Sequence, residues 1–182
     1  DNTYELMTDE ALAWFKHYMN KKQYVSHEYK YETDYKNNWG PGPHVTVDAL
    51  VIQSGHILLI QRGKEYGQGQ WALPGGFINR DEFTLDACIR ELYEETKIKV
   101  PEKVLRGSLV KNRLFDDPYR SNRARIITNV FQFKLSDVGN LPKVKGSDDA
   151  QDAKWVPISK FQRMRSQMFE DHYDMINDML KM

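Results

Sequence analysis

Three glutamates, Glu91, Glu94 and Glu95, stand where a helix gains nothing from them. Apolar spacing predicts a helix over 82–96, with Leu85, Cys88, Ile89, Leu92 and Thr96 on one core-facing stripe. The three acids fall together on an adjoining face. Like charges three or four residues apart oppose a helix by roughly 0.2–0.5 kcal/mol per pair. They also crowd its C-terminal end, where the macrodipole prefers cations. A divalent cation removes both penalties, because hard ions such as Mg2+ take carboxylate oxygens together with substrate phosphates. Taken alone, the same residues also suit a solvated acidic face, partly offset by Arg90 and Lys97.

The surrounding spacing favours the cation. From Gly76 the chain reads G-x5-E-x7-R-E-L-x-E-E-x-K-I, which resembles the signature of the Nudix hydrolases at eight of nine specified positions. With ordinary composition, the six fixed Gly, Glu and Arg positions would coincide in about one window in ten million. Lys97 is the departure, standing where the family usually has glycine. A lysine there costs about 1 kcal/mol in a left-handed cap or ends the helix differently.

The resemblance implies an α/β protein, a Nudix-type α/β/α sandwich with a mixed β-sheet. It also implies metal-dependent hydrolysis of a nucleoside diphosphate derivative, by water attack on a pyrophosphate phosphorus. Carried onto this sequence, Glu91 and Glu95 are the expected direct ligands of Mg2+ or Mn2+. Glu94 shares ligation or polarises water. Gly76 adds a backbone carbonyl, since glycine lets the main chain come close to an ion. Arg90 is expected to orient the acids by salt bridge. Glu82 supports them, touches a metal-bound water, or simply favours the start of the helix. A general base often lies outside the signature in this family, and Asp148 or Asp149 in the acidic loop 147–150 is the candidate.

The elements that must position these groups are legible in outline. Val45, Val47, Ala49 and Val51 alternate, Ser54-Gly55 turns, and 56–61 is an apolar run, which together predict a hairpin. Further strands are expected over 104–111, 124–135 and 152–156, with an arginine-rich connection over 112–123. Helices are expected near 159–168 and 171–180. This mixture implies a mixed sheet between helices. Residues 1–43 read as a helical lead-in, with Tyr24, Tyr31 and Tyr35 on one helix, ending in the rigid linker Gly40-Pro41-Gly42-Pro43; the catalytic domain is expected over 44–182.

Composition narrows the partners. In 182 residues, 40% hydrophobic, Lys plus Arg equals Asp plus Glu at 26 each, so no net charge points to nucleic acid or a membrane surface. No apolar run reaches the ~20 residues a spanning helix needs, and no signal-peptide pattern opens the chain. The single cysteine, Cys88, excludes an internal disulfide and fits a reducing cytoplasm. An aromatic helical arm and extra strands suit packing against a second copy, so a homodimer is an expectation.

Substrate contacts are sought among arginines and aromatics. Arg62 ends a core strand beside the signature loop, and the segment 113–125 offers stacking rings and planar guanidinium groups suited to phosphate or adenine. Trp71 reads as core rather than an adenine platform. Trp71-Ala-Leu-Pro-Gly-Gly-Phe77, Phe115-Asp-x-Pro-x-Arg120-Ser, Arg125-Ile-Ile-Thr and Glu170-Asp171-His172 together resemble the Nudix half of bifunctional nicotinamide mononucleotide adenylyltransferase/Nudix hydrolases. That resemblance covers essentially the whole chain. It implies hydrolysis of ADP-ribose to AMP and ribose 5-phosphate in NAD metabolism, with Arg62, Phe115, Arg120 and Arg125 contacting substrate. It also implies an adenylyltransferase domain before Asp1. Two alternatives stay open: another nucleotide substrate, or a non-catalytic ADP-ribose-sensing regulator. The regulators usually carry a DNA-binding module after the Nudix part, whereas 27 residues follow Trp155 here.

Overall fold

In the computed structural model the described residues are 42–63, 66–147 and 150–181. The expected helical lead-in and its tyrosines lie outside them, as do Asp148 and Asp149. Element order is β1 (His44–Gln53), β2 (His56–Arg62), β3 (Trp71–Ala72), β4 (Gly75–Phe77), α1 (Thr84–Thr96), α2 (Glu102–Gly107), β5 (Leu109–Phe115), β6 (Ile126–Lys134), β7 (Ala150–Pro157), α3 (Ile158–Phe161) and α4 (His172–Leu180), with a 3-10 turn at Arg165–Gln167 before α4.

The strands form one mixed sheet in the order β3-β2-β1-β6-β5, with β4 on β1 and β7 on β2. Strand β1 runs parallel to β6 along nearly its whole length, from His44 opposite Ile126 to Ile52 opposite Lys134. Its other edge is divided. Ile52 and Gln53 pair antiparallel with β2, whereas Thr46, Val47 and Asp48 pair with Phe77, Gly76 and Gly75 of β4. The sheet therefore opens between β1 and β2, and β4 turns the glycines of the signature into that opening.

Period-2 alternation sends β1 into two cores. Val47, Ala49 and Val51 pack with Cys88, Ile89 and Leu92 of α1, while Leu50 and Ile52 pack with Phe161, Met175 and Ile176 on the opposite face. Helices thus cover both sides, as an α/β/α sandwich requires. Of the stripe anticipated on α1, Cys88, Ile89, Leu92 and Thr96 are buried, and Leu85 is partly buried against the same core. Among the described residues no helix is long and apolar enough to cross a membrane.

Two expected elements differ. The strand anticipated over 104–111 begins as α2: Pro101 is extended before its first turn, Glu102 follows favourably, and Arg106 pairs with Glu102 and Asp86. The strand starts only at Leu109 and continues to Phe115, through residues read from sequence as connection, because β6 supplies a partner for it. The helix expected over 159–168 is broken, with α3 ending after Phe161.

Lys97 closes α1 in the left-handed conformation (φ 47°, ψ 31°), its N–H donating to the Tyr93 carbonyl at 3.0 Å. The helix therefore ends as a glycine would end it, with the Cβ penalty retained. Lys97→Gly is expected to stabilise the protein by about 0.5–1 kcal/mol. A rise in the urea midpoint at constant slope is the measurement; a fall means that the lysine side chain compensates.

Candidate active site

One cavity of about 490 Å³ opens where β1 and β2 part, lined by α1 and β4 on one side and by the residues leading into α4 on the other. Of the residues singled out from sequence, Arg62, Gly76, Arg90, Glu91, Glu94, Glu95 and Arg120 line it. Phe115 and Arg125 do not. Phe115 packs against the core beneath α4, and Arg125 donates from Nη1 to the Asp116 carbonyl at 2.7 Å. The resemblance carried these two over by position, but β5 extends farther than expected and holds Phe115 in its register opposite Thr128. Trp71 is half-buried against the α4 core, as read from sequence.

Arg90 organises the acidic wall. Its Nε and Nη2 donate to the two oxygens of Glu82 at 2.8 and 3.0 Å, and its Nη1 donates to Glu91 at 2.7 Å and Glu94 at 3.0 Å. Nη2 also reaches the Phe77 carbonyl at 3.2 Å, tying α1 to β4. These charge-assisted bonds hold the guanidinium well above its ordinary pKa and hold Glu82 below the usual carboxylate range. Glu82 in turn accepts from the Asn79 N–H at 3.1 Å, fixing the loop before the helix.

Glu95 faces inward, 5% exposed, accepting from the Gly75 N–H at 2.8 Å. Burial pushes its carboxyl up to about 8; the Gly75 bond opposes this, and the charges of Glu91 and Asp48 add to it. The loop that leads toward Asp148 and Asp149 is tied to the same helix end. Lys145 N–H donates to the Thr96 carbonyl at 2.8 Å and Ser147 N–H to the Glu95 carbonyl at 3.1 Å.

Sequence reasoning missed Asp48. It sits on β1 opposite Gly75, buried, accepting from the Thr128 hydroxyl at 2.6 Å, and burial raises its pKa to about 6. An acid inside the run Val45-Thr46-Val47-Asp48-Ala49-Leu50-Val51-Ile52 was the available signal. Arg123, Phe169, Glu170 and His172 also line the cavity without having been assigned a role.

A divalent cation fits this donor set. Among the described residues no three His, Cys, Asp or Glu side chains close on a single point, and Arg90 spans Glu91 and Glu94. The acids therefore form an open half-site rather than a closed cage. Their oxygens are nevertheless hard ligands, and the charges of Glu91 and Asp48 add to burial in raising the Glu95 pKa. Such ions commonly complete their coordination with water and substrate phosphate, which an open half-site permits.

The two glycines separate folding from chemistry. A Cβ on Gly75 would strike the Val47 carbonyl and stand 2.6 Å from Asp48 Oδ1, so backbone must move. On Gly76 the nearest atoms it would meet all belong to the Glu91 carboxylate, its carbon at 2.6 Å. Gly75→Ala is expected to destabilise the protein by about 2 kcal/mol or more. Gly76→Ala should leave the unfolding midpoint nearly unchanged while cutting metal-dependent turnover about 10–100-fold. Equal loss of stability in both variants would refute the separation.

Comparison with known proteins points the same way. A NUDIX domain model matches residues 42–179. An ADP-ribose pyrophosphatase from Methanocaldococcus jannaschii is 31% identical over 139 residues, 76% of this chain and 74% of its own. A bifunctional NMN adenylyltransferase/ADP ribose pyrophosphatase from Francisella tularensis, complexed with AMP and a Mn ion, superposes with TM-score 0.76 and 38% identity, over 88% of this chain and 48% of its own. The present chain thus spans about half the length of that protein. The NUDIX domain of Shewanella oneidensis NrtR, complexed with ADP ribose, superposes with TM-score 0.63 and 25% identity, over 81% of this chain and 96% of its own.

Proposed function

Because this chain belongs to the Nudix family, we propose that it hydrolyses the pyrophosphate bond of ADP-ribose to AMP and ribose 5-phosphate, with Mg2+ or Mn2+ as cofactor. The observation that carries this reading is the bipolar cavity, with Glu91, Glu94 and Glu95 on one wall and Arg62, Arg120 and Arg123 facing the same space. A diphosphate needs both signs: acids to hold cations, and guanidinium groups to take phosphate oxygens.

A bound divalent cation supplies charge neutralisation and a more acidic water. The chain supplies position. Glu95 is held by the Gly75 N–H, and Arg90 fixes Glu91 and Glu94. Asp48 at the floor and the acidic pair Asp148 and Asp149 are the groups to test as proton acceptors. Arg62 and Arg120 are proposed to contact substrate. Phe115 and Arg125, displaced from the cavity, are proposed contacts only if substrate extends beyond it.

The relatives support the substrate: one is an ADP-ribose pyrophosphatase, and another joins that activity to an adenylyltransferase. An upstream adenylyltransferase domain, a domain boundary near residues 42–44, a homodimer and a cytoplasmic place in NAD metabolism belong to the same proposal. A sensor reading is favoured by the NrtR domain, but the full set of signature acids favours catalysis. A panel of ADP-ribose, NADH, dinucleoside polyphosphates and nucleoside triphosphates with Mg2+, products resolved by chromatography, tests it. ADP-ribose should give the highest kcat/KM with AMP released; tight binding without turnover would establish the sensor instead.

A further inference from the structure

We propose that Arg62 and Arg123 form a clamp for a phosphomonoester, the group left on each product when a phosphoanhydride is hydrolysed; the proposal rests on the phosphate-cleaving reading of this cavity. Both guanidinium groups are mounted on one aromatic ring. The Arg62 Cζ lies 4.0 Å from the Phe169 ring centre and the Arg123 Cζ 5.2 Å from it. Tyr66 completes the mount, edge-on to Phe169 at 5.8 Å and 5.5 Å from Arg123.

The mount is rigid. Phe169 is 2% exposed, its N–H donates to the Trp71 carbonyl at 2.8 Å, and a Cβ on Gly67 would collide with its ring. The two cations repel each other, while the charges of Glu95, Glu170 and Asp48 act on Arg62 in the opposite sense; a bound anion of higher charge would add to that balance.

The arginines of this wall differ in what they already hold. Arg120 is committed on one edge, its Nε and Nη2 each donating at 2.9 Å to Asp171. Arg123 makes only long contacts with Glu170, at 3.3 and 3.4 Å. Arg62 donates through Nε to the Tyr66 carbonyl at 3.2 Å and, among the described residues, has no carboxylate partner. Burial first, then the charge of Arg123, lowers its pKa. The charge of Glu95 reaches Arg62 as well, so the clamp and the acidic wall serve neighbouring parts of one ligand.

Ligand charge decides which species is held. Each phosphorus of an intact diphosphate bridge carries about one negative charge. When a water oxygen bonds to one phosphorus, the bridging P–O bond breaks, the bridging oxygen leaves with the other phosphorus, and the water proton passes to a base. Both fragments are then monoesters carrying about −1.5 to −2 at pH 7. Two planar guanidinium groups gain more from that ion than from the bridge. The clamp therefore holds product more strongly than substrate and makes the protein subject to inhibition by its own phosphomonoester.

AMP and ribose 5-phosphate carry this same group, and titration calorimetry of the whole chain with each, and with adenosine, tells them apart. In Arg62→Met and Arg123→Met, affinity for AMP or for ribose 5-phosphate should fall about tenfold or more while adenosine is unaffected. The inhibition constant of that product in the hydrolysis assay should rise in parallel. Arg62→Lys and Arg123→Lys keep the charge and should recover part of the affinity; they also replace the methionine variants should those unfold. Unchanged affinity for both monoesters, or an equal fall for adenosine, overturns the clamp. Monoester binding that depends on both arginines in a chain with no ADP-ribose turnover would uphold the clamp and overturn the substrate reading alone.

Discussion

Glu95→Gln is expected to lower metal-dependent ADP-ribose turnover by about 10²–10³-fold while leaving the protein folded. The amide keeps an oxygen to accept from the Gly75 N–H, so the 2.8 Å contact and the strand it holds can persist. What disappears is the carboxylate charge that a bound cation would stabilise. Several kcal/mol of stabilisation rest on a catalytic cation, and each 1.4 kcal/mol is a factor of ten in rate. Stability should move the other way in metal-free buffer. The folded carboxyl titrates near 8 against an ordinary 4.5, so the unfolded chain sheds its proton first and stability is lost as pH rises across that window. Glutamine does not titrate. The variant should therefore equal or exceed the wild type in urea midpoint at pH 8–9, with the wild type gaining more from added Mg2+. A variant that loses both activity and metal-free stability would show that Glu95 serves the fold rather than the cation.

Legibility in the sequence followed how local each cause is. The stripe on α1 and the alternation of β1 are periodic within one element, and both appear where spacing put them. The acidic wall was legible because three carboxylates on one helix need no knowledge of the rest of the chain. Asp48 was not, since its place depends on β1 pairing with Gly75 across the opening of the sheet. Phe115 stands outside the cavity for a related reason: it joins β6 through non-local pairing, which hides the length of β5 from composition, while Arg125, just before β6, donates to the Asp116 carbonyl instead. The first turn of α2 was misread because Val104 and Leu105 suit a strand, while Pro101 and Glu102 before them favour a helix start. Arg123 and Phe169 lie far apart in sequence and meet only when the approach to α4 folds over the cavity.

Acid should expose a second buried group in the same region. His172 begins α4 with its Nδ1 accepting from the Leu73 N–H at 3.1 Å, and its ring lies 5.6 Å from Phe169. An imidazole accepting there is neutral, with its proton on Nε2. Burial lowers its pKa to about 4; Asp171 and Glu170 oppose this, and Arg120 and Arg62 reinforce it. The unfolded histidine titrates near 6.5, so between 6.5 and 4 the unfolded chain binds a proton that the folded chain refuses. Stability present above pH 6.5 is thus lost as pH falls toward 4, by about 3 kcal/mol over the whole window. His172→Asn places an amide oxygen near the position of Nδ1 and does not titrate. At pH 7 it should be less stable, because the ring leaves a void. By pH 4 the gap between the two proteins should shrink by up to about 3 kcal/mol, measured as urea unfolding free energies. Asp48, whose raised pKa of about 6 acts in the opposite direction, is common to both proteins and largely cancels in the difference. A gap that stays constant would mean that the folded imidazole accepts its proton readily. In that event the Leu73 N–H could not be donating to it, and the strand leading through Pro74 to Gly75 would need another anchor to hold Glu95 in place.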